Sequence, residues 1–94
     1  MMVEFDREGL RGKGVTGDVS GSGMFVRVAE PPSVGPSLNM TLHLPGGRTI
    51  FLKGKVVRRA AVPGVSKPTG FGVCLTDKPA DYDNFLWRLL DVDE

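Results

Sequence analysis

Between Leu38 and Leu44 the chain alternates without a break. Leu38, Met40, Leu42 and Leu44 take every second position, and Asn39, Thr41 and His43 fill the others. A period of two is that of a strand with one buried face. Pro45-Gly46-Gly47 follows as a turn signal. Thr49 to Arg59 then returns as a long strand, and Gly54 in its middle predicts a bulge or bend. That hairpin commits the chain to antiparallel sheet.

The remaining segments fit the same plan. Met2 to Phe5 reads as the start of a first strand, and Asp6 to Gly14, charged and glycine-containing, as a loop. Val15 to Ser20 reads as a short strand that enters a turn rich in glycine. Met24 to Val28 is a further strand. Three prolines between Glu30 and Ser37 bar regular structure, because each lacks a donor and restricts its predecessor. Ala60 to Thr69 reads as a loop, and Gly70 to Leu75 as the last strand. The period then changes. Phe85, Leu86, Leu89 and Leu90 make one stripe of a helix, with Trp87 at its border. Thr76 or Asp77 is the expected cap, with Pro79 in the first turn. About six short strands with Gly/Pro punctuation and one terminal helix predict a small antiparallel barrel or sandwich. The helix then plugs an open end or packs outside.

Composition narrows the function. Ninety-four residues suit one domain, so residues 1–94 are expected to form a single unit. A net charge of +1 disfavours broad binding to nucleic acid or anionic membranes. A single cysteine, Cys74, excludes an intrachain disulfide and fits a reducing compartment. No apolar run has the length of a membrane span or signal peptide. The expectation is a soluble, cytoplasmic protein, or a domain cut from one.

Few residues offer chemistry. One His and one Cys, far apart, give no zinc pattern. His43 falls on the strand face opposite the leucines, and Cys74 reads as a small buried strand residue. The serines lack the strand–turn–helix setting of a hydrolase nucleophile, and no phosphate-cradling loop precedes a helical pattern. An enzyme is not expected, nor a metal or cofactor. The feature with most shape is Gly17-Asp18-Val19-Ser20-Gly21-Ser22-Gly23, with three glycines in seven residues. Asp and Ser side chains can bond back to nearby N–H groups and preorganise such a turn. Basic residues cluster twice: Arg7, Arg11 and Lys13 about the first loop, and Lys53, Lys55, Arg58 and Arg59 on the long strand. Arginine can hold phosphate with two parallel hydrogen bonds.

Asp18-Val19-Ser20-Gly21-Ser22-Gly23 resembles the Asp/Asn-x-Ser-x-x-Gly motif of PilZ domains. The similarity continues in order through Gly35 to Pro45, through Gly54-Lys55-Val56-Val57-Arg58, through Gly70 to Leu75 and into the terminal helix. It spans nearly the whole chain. The resemblance implies a mainly β fold, a six-stranded antiparallel barrel with a C-terminal α-helix. It also implies a place in bacterial cyclic di-GMP signalling. The family's ligand site joins an Arg-x-x-x-Arg segment, lying before the first barrel strand, to the Asp/Asn-x-Ser-x-x-Gly turn. Asp18, Ser20 and Gly23 match the turn. Arg7-Glu8-Gly9-Leu10-Arg11 satisfies the arginine string, but only six residues separate Arg11 from Asp18. With Val3–Phe5 as first strand, both arginines fall in the hairpin after it. The resemblance is therefore to a degenerate member without the family's N-terminal arginine segment.

Two functions follow from the resemblance. One is an adaptor that acts through protein–protein contacts with weak or no nucleotide binding, as PilZ-like domains without the arginine motif do in motility and type IV pilus systems. The basic strand face and the helix border near Trp87 are its candidate surfaces. The other is a direct cyclic di-GMP receptor, in which Arg7 and Arg11 fold back over the Asp18–Gly23 turn with Arg58 or Arg59 helping.

Overall fold

The computed structural model describes residues 1–7, 9–35, 37–61, 64 and 67–90. Six strands and one helix follow each other as β1 (Met2–Arg7), β2 (Leu10–Val19), β3 (Gly23–Arg27), β4 (Ser37–His43), β5 (Thr49–Ala60), β6 (Gly70–Asp77) and α1 (Ala80–Leu90). The strands close into an antiparallel barrel in the order β1-β2-β3-β6-β5-β4. Pairing of β4 with β1, Val3 against Leu42 and Phe5 against Met40, shuts the ring. This is the barrel-plus-helix architecture expected from the sequence.

Alternation decides which side chains fill the barrel. Ile50, Leu52, Gly54 and Val56 of β5 point in, and Thr49, Phe51, Lys53 and Lys55 point out. Val3, Phe5, Met24, Val26, Leu38, Met40, Leu42, Phe71 and Val73 complete the interior. Phe5 meets Phe71 edge to face, with ring centroids 5.1 Å apart. Complete burial of side chains of this size contributes about 1.5–3 kcal/mol each.

The expected loop from Asp6 to Gly14 is instead a hairpin. β1 pairs with β2 from Met2↔Val15 to Arg7↔Leu10. Gly12 sits where β2 faces Phe5, and a Cβ there would lie 2.4 Å from the ring. The strand needs a glycine at that place, so glycine content misreports it as a loop. Cys74 also departs from expectation. It points outward from β6 and is exposed, because Val73 takes the buried position.

The long strand is interrupted as Gly54 suggested. Pairing of β5 with β6 shifts between Lys53 and Gly54 and again between Val56 and Arg58. β2 has a similar irregularity against β3, between Thr16 and Val19.

The helix begins later than the cap residues predicted. β6 continues through Asp77, and the Tyr82 N–H donates to the Pro79 carbonyl at 3.0 Å. Asp81 and Asp83 lie in the first turn and Arg88 in the last, which suits the helix dipole. Tyr82 and Leu86 are buried and Phe85 packs against the core; the Leu89 and Leu90 side chains lie outside the described residues. The helix crosses the barrel end that carries the Ser20–Gly23 turn and the β4–β5 turn. Tyr82 touches the first, and a small cavity between Leu44, Arg48, Phe85 and Arg88 marks its passage over the second.

Candidate functional site

Two irregularities and one glycine build a cleft on the outer face. Phe25 of β3 points outward, opposite Gly72 of β6, and Gly72 lies opposite Arg58 of β5. Val56 pairs with Val73 and Arg58 with Gly72, so Val57 is an extra residue that reverses the phase of β5. Strict alternation after Ile50, Leu52, Gly54 and Val56 would send Arg58 inward; the bulge turns it out. No side chain stands on Gly72, and Arg58 reaches across it to place its guanidinium 5.6 Å from the Phe25 ring centre. On the other side of Phe25, β2 also carries an extra residue. Thr16 pairs with Val26 and Val19 with Met24, leaving Gly17 and Asp18 opposite Phe25. Asp18, Phe25, Gly72 and Arg58 thus form a row across four strands.

A cleft of about 260 Å³ lies along this row, lined by Asp18, Ser20, Gly23, Phe25, Val57 and Arg58 among others. It joins a carboxylate, a hydroxyl, a guanidinium and an aromatic face. Such a set can accept from a ring N–H, donate to an anion and stack on a flat group.

The turn beside the cleft is held on all its carbonyls. Ser20 N–H and Ser20 Oγ both donate to the Gly23 carbonyl, at 2.8 and 3.3 Å. Leu75 N–H donates to the Ser22 carbonyl at 2.8 Å. Lys78 Nζ donates to the Gly21 carbonyl, and the Tyr82 hydroxyl to the Ser20 carbonyl at 2.7 Å. Gly23 runs so close to β6 that a Cβ would sit 2.2 Å from the Val73 oxygen. Burial, with a smaller contribution from the Asp83 charge, pushes the Tyr82 phenol up to about 12, so it remains a donor at neutral pH.

Of the six site residues expected from sequence, four meet here: Asp18, Ser20, Gly23 and Arg58. Arg7 and Arg11 do not. Arg7 ends β1 and Arg11 lies near the start of β2, at the opposite end of the barrel from Ser20. Seven residue steps of strand separate Arg11 from Asp18, about 20 Å at the usual rise. The structure thus does not bring Arg7 and Arg11 over the turn.

Arg11 instead borders a second, larger hollow of about 890 Å³ on the outer face of β1, β2, β4 and β5, with Lys13, Lys53, Glu4, Asp6 and Phe51. Phe51 is 72% exposed. Glu4 is engaged by His43 Nε2 at 2.6 Å, and Asp6 by Asn39 at 3.4 Å. Among the described residues, no three His, Cys, Asp or Glu side chains gather as a metal site needs.

Sequence reasoning missed Phe25 as the plate beneath Arg58, and Tyr82 and Lys78 as the turn's supports. Tyr82 stands three and four positions before Phe85 and Leu86, a spacing that assigns it to the buried face.

The model of the PilZ domain family matches residues 2–91. The chain belongs to the PilZ family. PilZ domains are generally non-catalytic, serve the cyclic di-GMP network and take cyclic di-GMP or proteins as partners. No curated protein and no solved structure matches the chain.

Proposed function

We propose that this PilZ domain is a non-catalytic cytoplasmic adaptor. It acts through protein–protein contacts, with weak or no nucleotide binding, in motility or type IV pilus systems. One observation carries the reading: Arg7 and Arg11 stand at the far end of β2 from Asp18, Ser20 and Gly23. Among the described residues, the lining of the cleft includes one arginine, Arg58. Hydrogen bonds to charged groups contribute about 1.5–3 kcal/mol each. Without two of them, nucleotide affinity falls by roughly two to four decades. The surfaces left for a protein are the hollow around Phe51, Arg11 and Lys53, and the exposed side of α1 with Trp87, itself 72% exposed. Exposed aromatic and arginine side chains are the residue types that anchor interfaces.

The second reading, a direct cyclic di-GMP receptor, draws on the bulge that brings Arg58 to Asp18 and Ser20. Calorimetric titration of the domain with cyclic di-GMP separates the two. The adaptor reading expects no saturable heat at high micromolar ligand. Saturable micromolar binding would overturn it. Loss of that binding in Arg58→Ala would locate the ligand in the cleft, and loss in Arg7→Ala/Arg11→Ala at the far end of the barrel.

A further inference from the structure

We infer that Tyr82 is a positioning residue for the cleft: through its hydroxyl the Asp18–Gly23 turn and α1 form one cooperative unit, so that an occupant gripping the turn is felt along the helix. Four consecutive carbonyls, from Ser20 to Gly23, all have donors. The last is closed within the turn and the third by β6. The first two are taken by Tyr82, inside α1, and by Lys78, two residues before it. Lys78 also pairs with Asp83 of α1 at 2.9 Å and lies 5.8 Å from the Tyr82 ring centre. Lys78, Tyr82 and Asp83 therefore bracket the turn from the helix side.

The cleft lies on the other side of this turn, with Asp18, Ser20 and Gly23 in its wall. A shift of this wall moves the carbonyls on their donors; one of these, Tyr82, lies within the helix, and another, Lys78, is tied to the helix through Asp83. Coupling of this kind is reciprocal: whatever changes the turn changes the seating of α1, and the reverse. Tyr82 is wholly buried while Trp87 on the same helix is exposed, so α1 connects the back of the turn to the solvent face. The inference concerns what shapes the cleft and not what fills it. It stands or falls separately from the adaptor reading, and its test needs no occupant.

The test is amide hydrogen exchange, followed residue by residue by NMR, in Tyr82→Phe. The ring and its packing remain, and only the hydroxyl is lost. The Ser20 and Leu75 amides, which bond to carbonyls of the turn, should exchange about fivefold to tenfold faster, the equivalent of one hydrogen bond. The Met40 and Leu52 amides in β4 and β5 should be unchanged. In the reverse direction, Gly23→Ala should speed exchange in α1, at Leu86, ahead of Met40 and Leu52. Lys78→Gln provides a surface variant with the same expected pattern and little risk to folding. Unchanged exchange at Ser20 and Leu75 in Tyr82→Phe would overturn the inference. So would uniform acceleration at all sites, which would make the hydroxyl a general stabiliser of the barrel.

Discussion

Tyr82 carries its hydroxyl at the meeting point of helix and turn, and its ionisation should be visible in stability. Burial raises its folded pKa to about 12 from an ordinary value of 10.0. Between these values the unfolded chain loses the phenolic proton and the folded chain keeps it. The folded state then binds more protons, and stability falls as pH rises. The contribution is complete below pH 10 and is lost through pH 12, a change of about 3 kcal/mol. The comparison is with Tyr82→Phe, which lacks only the ionisable hydroxyl. Urea midpoints of the natural protein should fall more steeply from pH 9.5 to 12 than those of the variant. Equal slopes would refute the assignment. The cleft residues show at this scale what a sequence displays. Asp18, Ser20 and Gly23 are legible because spacing along the chain is also spacing along one turn. Arg58 is legible as a basic residue, but its direction is not, because a single extra residue, Val57, reverses the alternation. Arg7 and Arg11 satisfy a string that reads the same wherever the hairpin puts it.

At the scale of elements, α1 tests how one face of a helix differs from the other. Leu86 is 6% exposed and Trp87 is 72% exposed. Leu86→Ala should cost about 2–5 kcal/mol in urea denaturation, whereas Trp87→Ala should change stability by no more than about 0.5 kcal/mol. A large loss in the tryptophan variant would mean that the indole is covered in solution. The strands differ in how plainly the sequence displays them. β4 and β5 announce themselves because apolar side chains occupy their inward positions. β2 does not. Its inward positions Gly12 and Gly14 yield to Phe5 and Val26, so small size takes the place of hydrophobicity and the period disappears. The start of α1 is hidden in the sequence for a related reason. Thr76 and Asp77 have the chemistry of caps, yet Asp77 is still paired with Lys53 in the sheet.

For the molecule as a whole, closure of the barrel joins distant parts of the chain. Val3 pairs with Leu42, and β3 reaches across to β6 with Gly23 opposite Cys74. Such non-local pairing carries its loop entropy before its contacts form, so refolding should take milliseconds to seconds. Stopped-flow dilution from urea measures this directly, and a microsecond phase of full amplitude would contradict the topology. The two ends of the barrel are unlike. One holds the Gly9 hairpin with Arg7, and the other holds the helix, the held turn and the cleft beside it. The helix at that end lies between the two strongest chromophores of the chain. The only tyrosine is beneath it, fully enclosed, and the only tryptophan is on its outer side. The asymmetric surroundings of Tyr82 should give a near-ultraviolet circular dichroism signal, while Trp87, in water, reports a red-shifted emission. Lifting of the helix would erase the first and leave the second almost untouched, so the domain has a two-colour optical gauge of its own plug, with no label attached.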